Sequence, residues 1–228
     1  MKKFLSVCLL MLIILFSVSC EAKPEQITVT GKIIQASGVS VDVDFNIPVI
    51  SGMKDKNLQD KLNAQFMRKA ENLEQEIEAA AQEYWEETKI DQQEQPRFGA
   101  VIDYNTAYNN KGLLSINVKY YRYTGGAHGS TIMETLNLDV ENGKILQIND
   151  FFKPGENAQE IALQEIHNQI DKNEDMYFHD VVEVLDSLPE DQPFYINGEH
   201  IVVYFQQYEI APYAVGIPEF KVPVTAMP

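Results

Sequence analysis

The sequence predicts an α+β fold: a largely antiparallel sheet packed by one long and one shorter amphipathic helix, in two intimately packed subdomains. Three observations predict it. Apolar and polar residues alternate with period two over several short segments. Two other segments carry apolar side chains at steps of three and four, the first of them about thirty residues long. Tight-turn signals such as Glu141-Asn142-Gly143-Lys144 join neighbouring strands directly, which favours antiparallel pairing over crossovers.

Taken in order, Ile27–Gln35 is rich in β-branched residues and reads as a strand. Val39, Val41, Val43, Phe45 and Ile47 alternate with polar residues to give the next, with Gly38 helping the turn between them. The long helix follows: Leu58, Leu62, Phe66, Lys69, Leu73, Ile77, Ala80 and Tyr84 form its stripe. Only Lys69 interrupts that stripe, and its aliphatic stem suits packing there. The opposite face carries Glu71, Glu74, Glu76, Glu78, Glu83, Glu86 and Glu87, a solvated surface.

Alternation returns at Phe98–Tyr104 and Leu114–Tyr120, joined by the turn Asn109-Asn110-Lys111-Gly112. Thr131–Val140 and Ile145–Ile148 are the next expected strands, and Pro154-Gly155 ends that unit. Glu156–Asp171 is the second amphipathic helix, with a shorter one expected over Asp180–Leu188. Phe194–Ile196, an Asn197-Gly198 turn and Ile201–Phe205 make a hairpin. Val222–Val224 is the last strand, at an edge because Pro223 cannot donate to a ladder.

The N-terminus reads as a targeting segment. Met1-Lys2-Lys3 is positive, Phe4–Val18 is fifteen uncharged, mostly apolar residues, and Ser17-Val18-Ser19 supplies a cleavage-like site. Fifteen residues fall short of the roughly 20 that a membrane-spanning helix needs. The only cysteines are Cys8, inside this segment, and Cys20, directly after it, so the exported chain has no disulfide. Residues 1–19 are therefore expected to be a signal peptide, Cys20 a lipidation site, and 20–26 a tether. Ser17 stands where a lipobox usually has Leu, and Ser17 with Ser19 also suits ordinary secretion or a periplasmic location. The Gram type of the source is not legible.

The charge is acidic, with 34 Asp and Glu against 18 Lys and Arg for a net −16. Nucleic acid is excluded as a partner, since phosphate neutralisation needs clustered cations. A cationic partner would be steered toward the chain, although an acidic surface also serves solubility alone.

Two segments stand out. Tyr123-Thr124-Gly125-Gly126-Ala127-His128-Gly129 places three glycines around a histidine after a strand, a sharp loop able to face a ligand. Tyr204–Pro218 combines Tyr204, Tyr208 and Tyr213 with Pro212, Gly216 and Pro218. Tyrosines on a rigid scaffold make recognition surfaces, and they equally close over a core. Tyr123, Gly125, Gly126, His128, Tyr208, Glu209 and Tyr213 are the candidate ligand-binding residues, and the two loops are expected to lie together. No catalytic residue, metal ligand set or cofactor is expected. His128 has no second histidine at ligand spacing, and Glu209 has no identifiable partner carboxylate.

Tyr123–Gly129, Phe194–Ile196 and Tyr204–Phe220 together resemble the extracytoplasmic part of anti-sigma-V factors of the RsiV type. Phe45-Asn46-Ile47-Pro48-Val49-Ile50-Ser51-Gly52 and the long helix resemble the N-terminal domain that precedes the catalytic domain in peptidoglycan deacetylases of the PdaC type. The resemblance spans 27–225. It implies a PdaC-type domain over 27–130 and an RsiV-type domain over 131–228, exposed on the outer face of a bacterial membrane. In the anti-sigma relatives the module binds lysozyme and exposes its tether to proteolysis, freeing a sigma factor. Here only Met1-Lys2-Lys3 precede the apolar segment, and the deacetylase metal motifs are missing. The expectation is a non-enzymatic, lipid-anchored binding or sensing module for a lysozyme-like wall-active protein or peptidoglycan. The alternatives are a wall-acting enzyme, an accessory of a deacetylase system, or an assembly subunit.

Lipidation at Cys20 carries its own test. Cys20→Ala is expected to release the protein into the medium or leave it unprocessed. Membrane fractionation and mass unchanged from the parent would count against the anchor.

Overall fold

The computed structural model describes residues 27–90 and 96–228; the signal segment, Cys20 and the tether lie outside the described residues. Nine strands form two sheets. Six run in the order β1 (Thr28–Ser37), β2 (Val41–Ser51), β3 (Phe98–Asn110), β4 (Leu113–Tyr123), β5 (Ser130–Asp139) and β6 (Lys144–Ile145). Three make a smaller sheet, β7 (Phe194–Asn197), β8 (His200–Tyr204) and β9 (Glu219–Pro223). Every pairing is antiparallel except β2 with β3. The α+β class and largely antiparallel sheet expected from the sequence are what the structure has.

The parallel pair exists because a helix intervenes. α1 (Lys56–Thr88) carries the chain from the end of β2 back to the start of β3, the crossover that a parallel pair requires. Asp55 caps it, its carboxylate accepting from the Leu58 N–H at 3.0 Å. Of the predicted stripe Leu62, Leu73 and Ile77 are buried, with Ala70 and Ala81 beside them, against Phe45, Ile47, Ile102, Leu114, Ile116 and Val118, while Leu58, Phe66, Ala80 and Tyr84 are partly buried. α1 lies over β2 and β3 and reaches β4 only with its margin. Where β2 runs on beyond β3, Asn63 of α1 completes it, accepting from the Ile50 N–H and donating to its carbonyl, both at 2.8 Å. Among the described residues no helix is long and apolar enough to cross a membrane.

A second core fills the other face of the six-stranded sheet. α2 (Ala158–Ile170) packs Ala162, Ile166 and Ile170 with Phe151, Phe194, Phe205 and Phe220. β4 belongs to both cores, and Leu113–Val118 are all buried. Leu114, Ile116 and Val118 face α1, while Leu113 faces the small sheet. Between the sheets lies a polar bridge. Ser115 Oγ donates to Asn137 Oδ1 at 2.7 Å and accepts from the Ile196 N–H at 3.1 Å. Asn137 Nδ2 donates to the Phe194 carbonyl at 2.7 Å. The side chains of β4 and β5 thus satisfy the backbone of β7, an edge strand that would otherwise bury unpaired groups. β5 pairs with β4 along its whole length, so position 130/131 falls inside the large sheet.

Three expected elements change. Of the strand expected over Ile145–Ile148 only Ile145 pairs with β5, together with Lys144 before it. Ile148–Phe151 winds into a 3-10 turn, with Asp150 accepting from the Gln147 N–H at 2.9 Å and Ile148 and Phe151 buried. The helix expected over Asp180–Leu188 shrinks to one turn, α3 (Val181–Val184). Asp180 is left-handed at φ 64°, and the carbonyl of Leu185 is held by His167 Nε2 at 2.8 Å, which ends the turn. The last strand starts earlier, at Glu219, and occupies the edge that Pro223 suits.

Two predictions follow from these contacts. Ser115→Ala leaves the Ile196 N–H without its acceptor, and a loss of about 1–3 kcal/mol is expected, measured by urea unfolding. The second concerns acid stability. Arg97, just before β3, donates to Asp42 at the start of β2, its Nε at 2.6 Å from Oδ2. Hydrogen bonds from Arg97 and then Ser37 hold the Asp42 carboxyl down at about 2. A depressed carboxylate stabilises the fold above its unfolded value of about 3.9 and ceases to do so as pH falls toward 2. Arg97→Gln should therefore lower the melting temperature at neutral pH, and the difference from the parent should close between pH 4 and 2.

Candidate functional site

The second sequence motif begins inside the core. Tyr204 is buried, its hydroxyl donating to the Met133 carbonyl at 3.1 Å, and burial pushes its phenol up to about 12. The chain then runs along the part of β5 that β6 leaves unpaired. Gln206 accepts from the Met133 N–H at 3.0 Å and donates back to the Met133 carbonyl at 2.7 Å. Gln207 accepts from the Thr131 N–H at 2.7 Å. Side-chain amides thus stand in for a missing strand and close that edge.

A tight turn follows. The Glu209 carboxylate accepts from the Gln206 N–H at 2.7 Å, and the Glu209 N–H returns to the Gln206 carbonyl at 3.2 Å. Between them Tyr208 sits at φ 65°, a left-handed conformation costing a residue with a Cβ roughly 1–2 kcal/mol. Its side chain is left half-exposed, at 53 %.

The glycine loop meets it from the end of β4. Gly125 and Gly126 take φ 93° and 86°, and the Tyr123 hydroxyl pins the loop by donating to the Gly126 carbonyl at 2.9 Å. Gly129 has another reason: a Cβ there would stand 2.4 Å from the Arg122 carbonyl and 2.5 Å from the Tyr121 ring. This path delivers His128 to Tyr208. Nδ1 lies 3.0 Å from the Gly129 carbonyl, which only accepts, so the proton is assigned to Nδ1. Nε2 then accepts from the Tyr208 hydroxyl at 3.3 Å. Tyr213 stacks on the imidazole, with centroids 3.7 Å apart and planes 14° apart, and lies 5.8 Å from the Tyr208 ring.

His128, Tyr208 and Tyr213 are therefore brought together. Tyr123, Gly125 and Gly126 shape the loop behind them. Glu209 does not join the cluster; its carboxylate holds the turn. The cluster stands at one end of a cleft of about 400 Å³, lined by Leu73, Glu76, Ile77 and Ala80 of α1 with Arg122, Thr124 and Ser130. Arg122 Nε donates to Ser130 Oγ at 3.2 Å, and Nη1 is 3.9 Å from Glu76. The cleft runs on along α1 into a smaller depression of about 190 Å³. There Lys69 pairs with Glu134 and lies 5.9 Å above the centre of the Tyr120 ring. These pairs are exposed and add little stability. Their interest is that positive and negative side chains balance in this cleft, within an acidic protein.

Sequence reasoning missed Arg122, Glu76 and Glu134, which carry no local mark. Lys69 was marked, as the single break in an apolar stripe, and the break is where α1 borders the cleft.

Known proteins share this architecture. Residues 34–131 match the family model described as deacetylase PdaC, and 149–225 match that of a protein family of unknown function, DUF3298. The anti-sigma-V factor RsiV of Bacillus subtilis is 25 % identical over 234 residues, covering 92 % of this chain and 77 % of the relative. The peptidoglycan-N-acetylmuramic acid deacetylase PdaC of Bacillus subtilis is 29 % identical over 140 residues. That match takes in 59 % of this chain but spans only 30 % of the deacetylase's length. The resemblance read from the motifs is thus found in both halves. Among solved structures, a DUF3298 family member from Bacteroides fragilis aligns with a TM-score of 0.63 at 21 % identity, covering 88 % of this chain and 92 % of that one. A DUF3298 family protein from Pseudomonas aeruginosa aligns at 0.54 and 19 %, covering 88 % and 91 %. At these identities the two structures establish the fold.

The edge seal is directly testable. Gln206→Ala should cost about 1–3 kcal/mol by stranding the Met133 N–H, its carbonyl keeping the Tyr204 hydroxyl, and should raise aggregation on mild heating, read by light scattering. A variant as stable and as soluble as the parent would show the amide to be dispensable.

Proposed function

We propose that this chain is an extracytoplasmic, lipid-anchored, non-enzymatic binding module of the bacterial cell envelope. Its ligand is a cationic, wall-active protein of the lysozyme type, engaged at the cluster of His128, Tyr208 and Tyr213. The observation that carries the reading is the Tyr208 turn. The fold sustains a strained backbone and leaves the ring it displays half in solvent, against the tendency of aromatic side chains to be buried. Tyr213, stacked on His128, extends the same patch with another rigid ring, the kind of side chain that anchors protein interfaces.

Three further points support it. Similarity to an anti-sigma factor and to part of a peptidoglycan deacetylase favours a place at the envelope. The formal net charge of −16 favours a cationic partner through long-range steering. Glu209, next to Tyr208 in sequence, is committed to the Gln206 N–H, so His128 is not paired with it for acid–base work. Peptidoglycan is the second reading, favoured by the cleft beyond the cluster, where charges of both signs border aromatic and aliphatic side chains.

Binding of the mature protein to lysozyme and to isolated peptidoglycan, each at low and raised salt, tests both readings. Lysozyme capture with association slowed by salt is expected. Tyr208→Ala and Tyr213→Ala should each weaken it by about 1–3 kcal/mol while leaving the melting temperature nearly unchanged. Capture of peptidoglycan alone would select the second reading, and binding insensitive to both substitutions would place the interface elsewhere.

A further inference from the structure

The two margins of the large sheet are treated in opposite ways. At β5 the exposed backbone is closed by Gln206 and Gln207, with Tyr204 beside them. At the other margin β1 presents ten residues whose only strand partner among the described residues is β2. Four of its polar side chains turn back into their own fold. Thr28 bonds Ser51 at 2.6 Å, Lys32 reaches Met67 Sδ at 3.5 Å, Gln35 donates to Asp44 at 2.8 Å, and Ser37 donates to Asp42 at 2.5 Å. Among the described residues none of them caps the outer row of β1 backbone groups. Of the usual protections β1 lacks a proline and a bulge in its register with β2, and keeps one, Lys32, which is turned toward Met67 of α1. Ile33 in its middle is 60 % exposed.

We propose that the outer edge of β1 is a dimerisation surface, pairing antiparallel with β1 of a second copy to make one continuous sheet through both molecules. Backbone edges accept many strands, and charge selects this one. The protein carries 34 acidic against 18 basic residues, so two copies repel over most of their surfaces. β1, with the sequence TVTGKIIQAS, has no acidic residue and one lysine, which is turned toward α1, so two copies meet there without the acid–acid repulsion that acts over the rest of the surface. A two-fold contact needs the same patch on both sides, and an antiparallel strand pair meets that requirement by itself. Alternate residues of a strand direct both backbone groups to one side, so a ten-residue pairing supplies about ten new backbone hydrogen bonds. The surface is separate from the tyrosine cluster, and the inference does not depend on the ligand.

Sedimentation velocity of the processed protein over a range of concentrations, with hydrogen exchange of residues 28–37 at the two extremes, tests the inference. The expected result is a concentration-dependent dimer in which alternate β1 amides slow as the dimer forms. Ile33→Lys sets two like charges near one another across the two-fold, and it should raise the dissociation constant about tenfold. The side chain is exposed, so the melting temperature should hold. Val184→Lys, at a side chain 79 % exposed on the C-terminal half, should leave the dimer unchanged. A monomer at all concentrations overturns the proposal. So does a dimer whose β1 amides exchange as fast as the monomer's, or one indifferent to Ile33→Lys.

Discussion

The bridge of Ser115 and Asn137 to β7 is the contact on which the rest of the molecule depends. A central strand in a sheet covered on both sides must bury both its faces, and β4 does so from Leu113 to Val118. One face does this with aliphatic side chains under α1. The other meets the margin of a second sheet, whose backbone groups at Phe194 and Ile196 have lost water and need partners. Ser115 and Asn137 provide them with good geometry and leave no polar atom of the bridge without a bond. Such a network is worth most when complete and costs most when any member is missing. It also fixes the small sheet to one position on the large one, because apolar packing by itself tolerates sliding and a set of short hydrogen bonds does not.

The site inherits that placement. β8 follows β7 directly and leads into Tyr204, whose hydroxyl ends on Met133. Gln206 and Gln207 then grip β5 residue by residue, so Tyr208 emerges at a defined height along the strand. The glycine loop springs from the end of β4, next to β5, and sets His128 opposite. A strained turn is tolerable here because both of its flanks are over-determined. The cluster of rings is a local feature, while its geometry is a property of the junction between sheets.

Much of this was legible in the chain. Period-two alternation marked β2, β3 and β4, and steps of three and four marked α1 and α2, because one-sided burial imposes those periods. The two loops were legible through glycine, proline and tyrosine, residues whose backbone demands or ring sizes do not suit regular elements. What stayed hidden was whatever depends on a distant partner. Gln206 looks like any polar residue after a strand until Met133 lies beside it, and Asn63 looks like an ordinary helix residue until Ile50 does. Arg122 and Glu76 are far apart in sequence and come together only across the cleft. Ile145–Ile148 had the composition of a strand, but β5 pairs only with its start, and Asp150 draws the chain from Ile148 on into a 3-10 turn. The segment after Asp180 had helical spacing, yet a left-handed residue at its start and a carbonyl claimed by His167 left it one turn.

The bridge to β7 also dictates an order of assembly. Ser115 meets Ile196 across 81 residues, and Asn137 meets Phe194 across 57. Closing loops of that length costs more entropy than forming the hairpin of β3 and β4, whose ends are two residues apart. The receiving groove for β7 does not exist until β4 and β5 have paired. A chain emerging N-terminus first can therefore complete α1 and most of its sheet before β7 has a place to dock. Until then the second core is open, and the hairpin that β7 forms with β8 is the one from which the tyrosine turn is hung. The cluster of rings is thus among the last parts of the molecule to come into being, and its presence reports that the sheet beneath it has already folded.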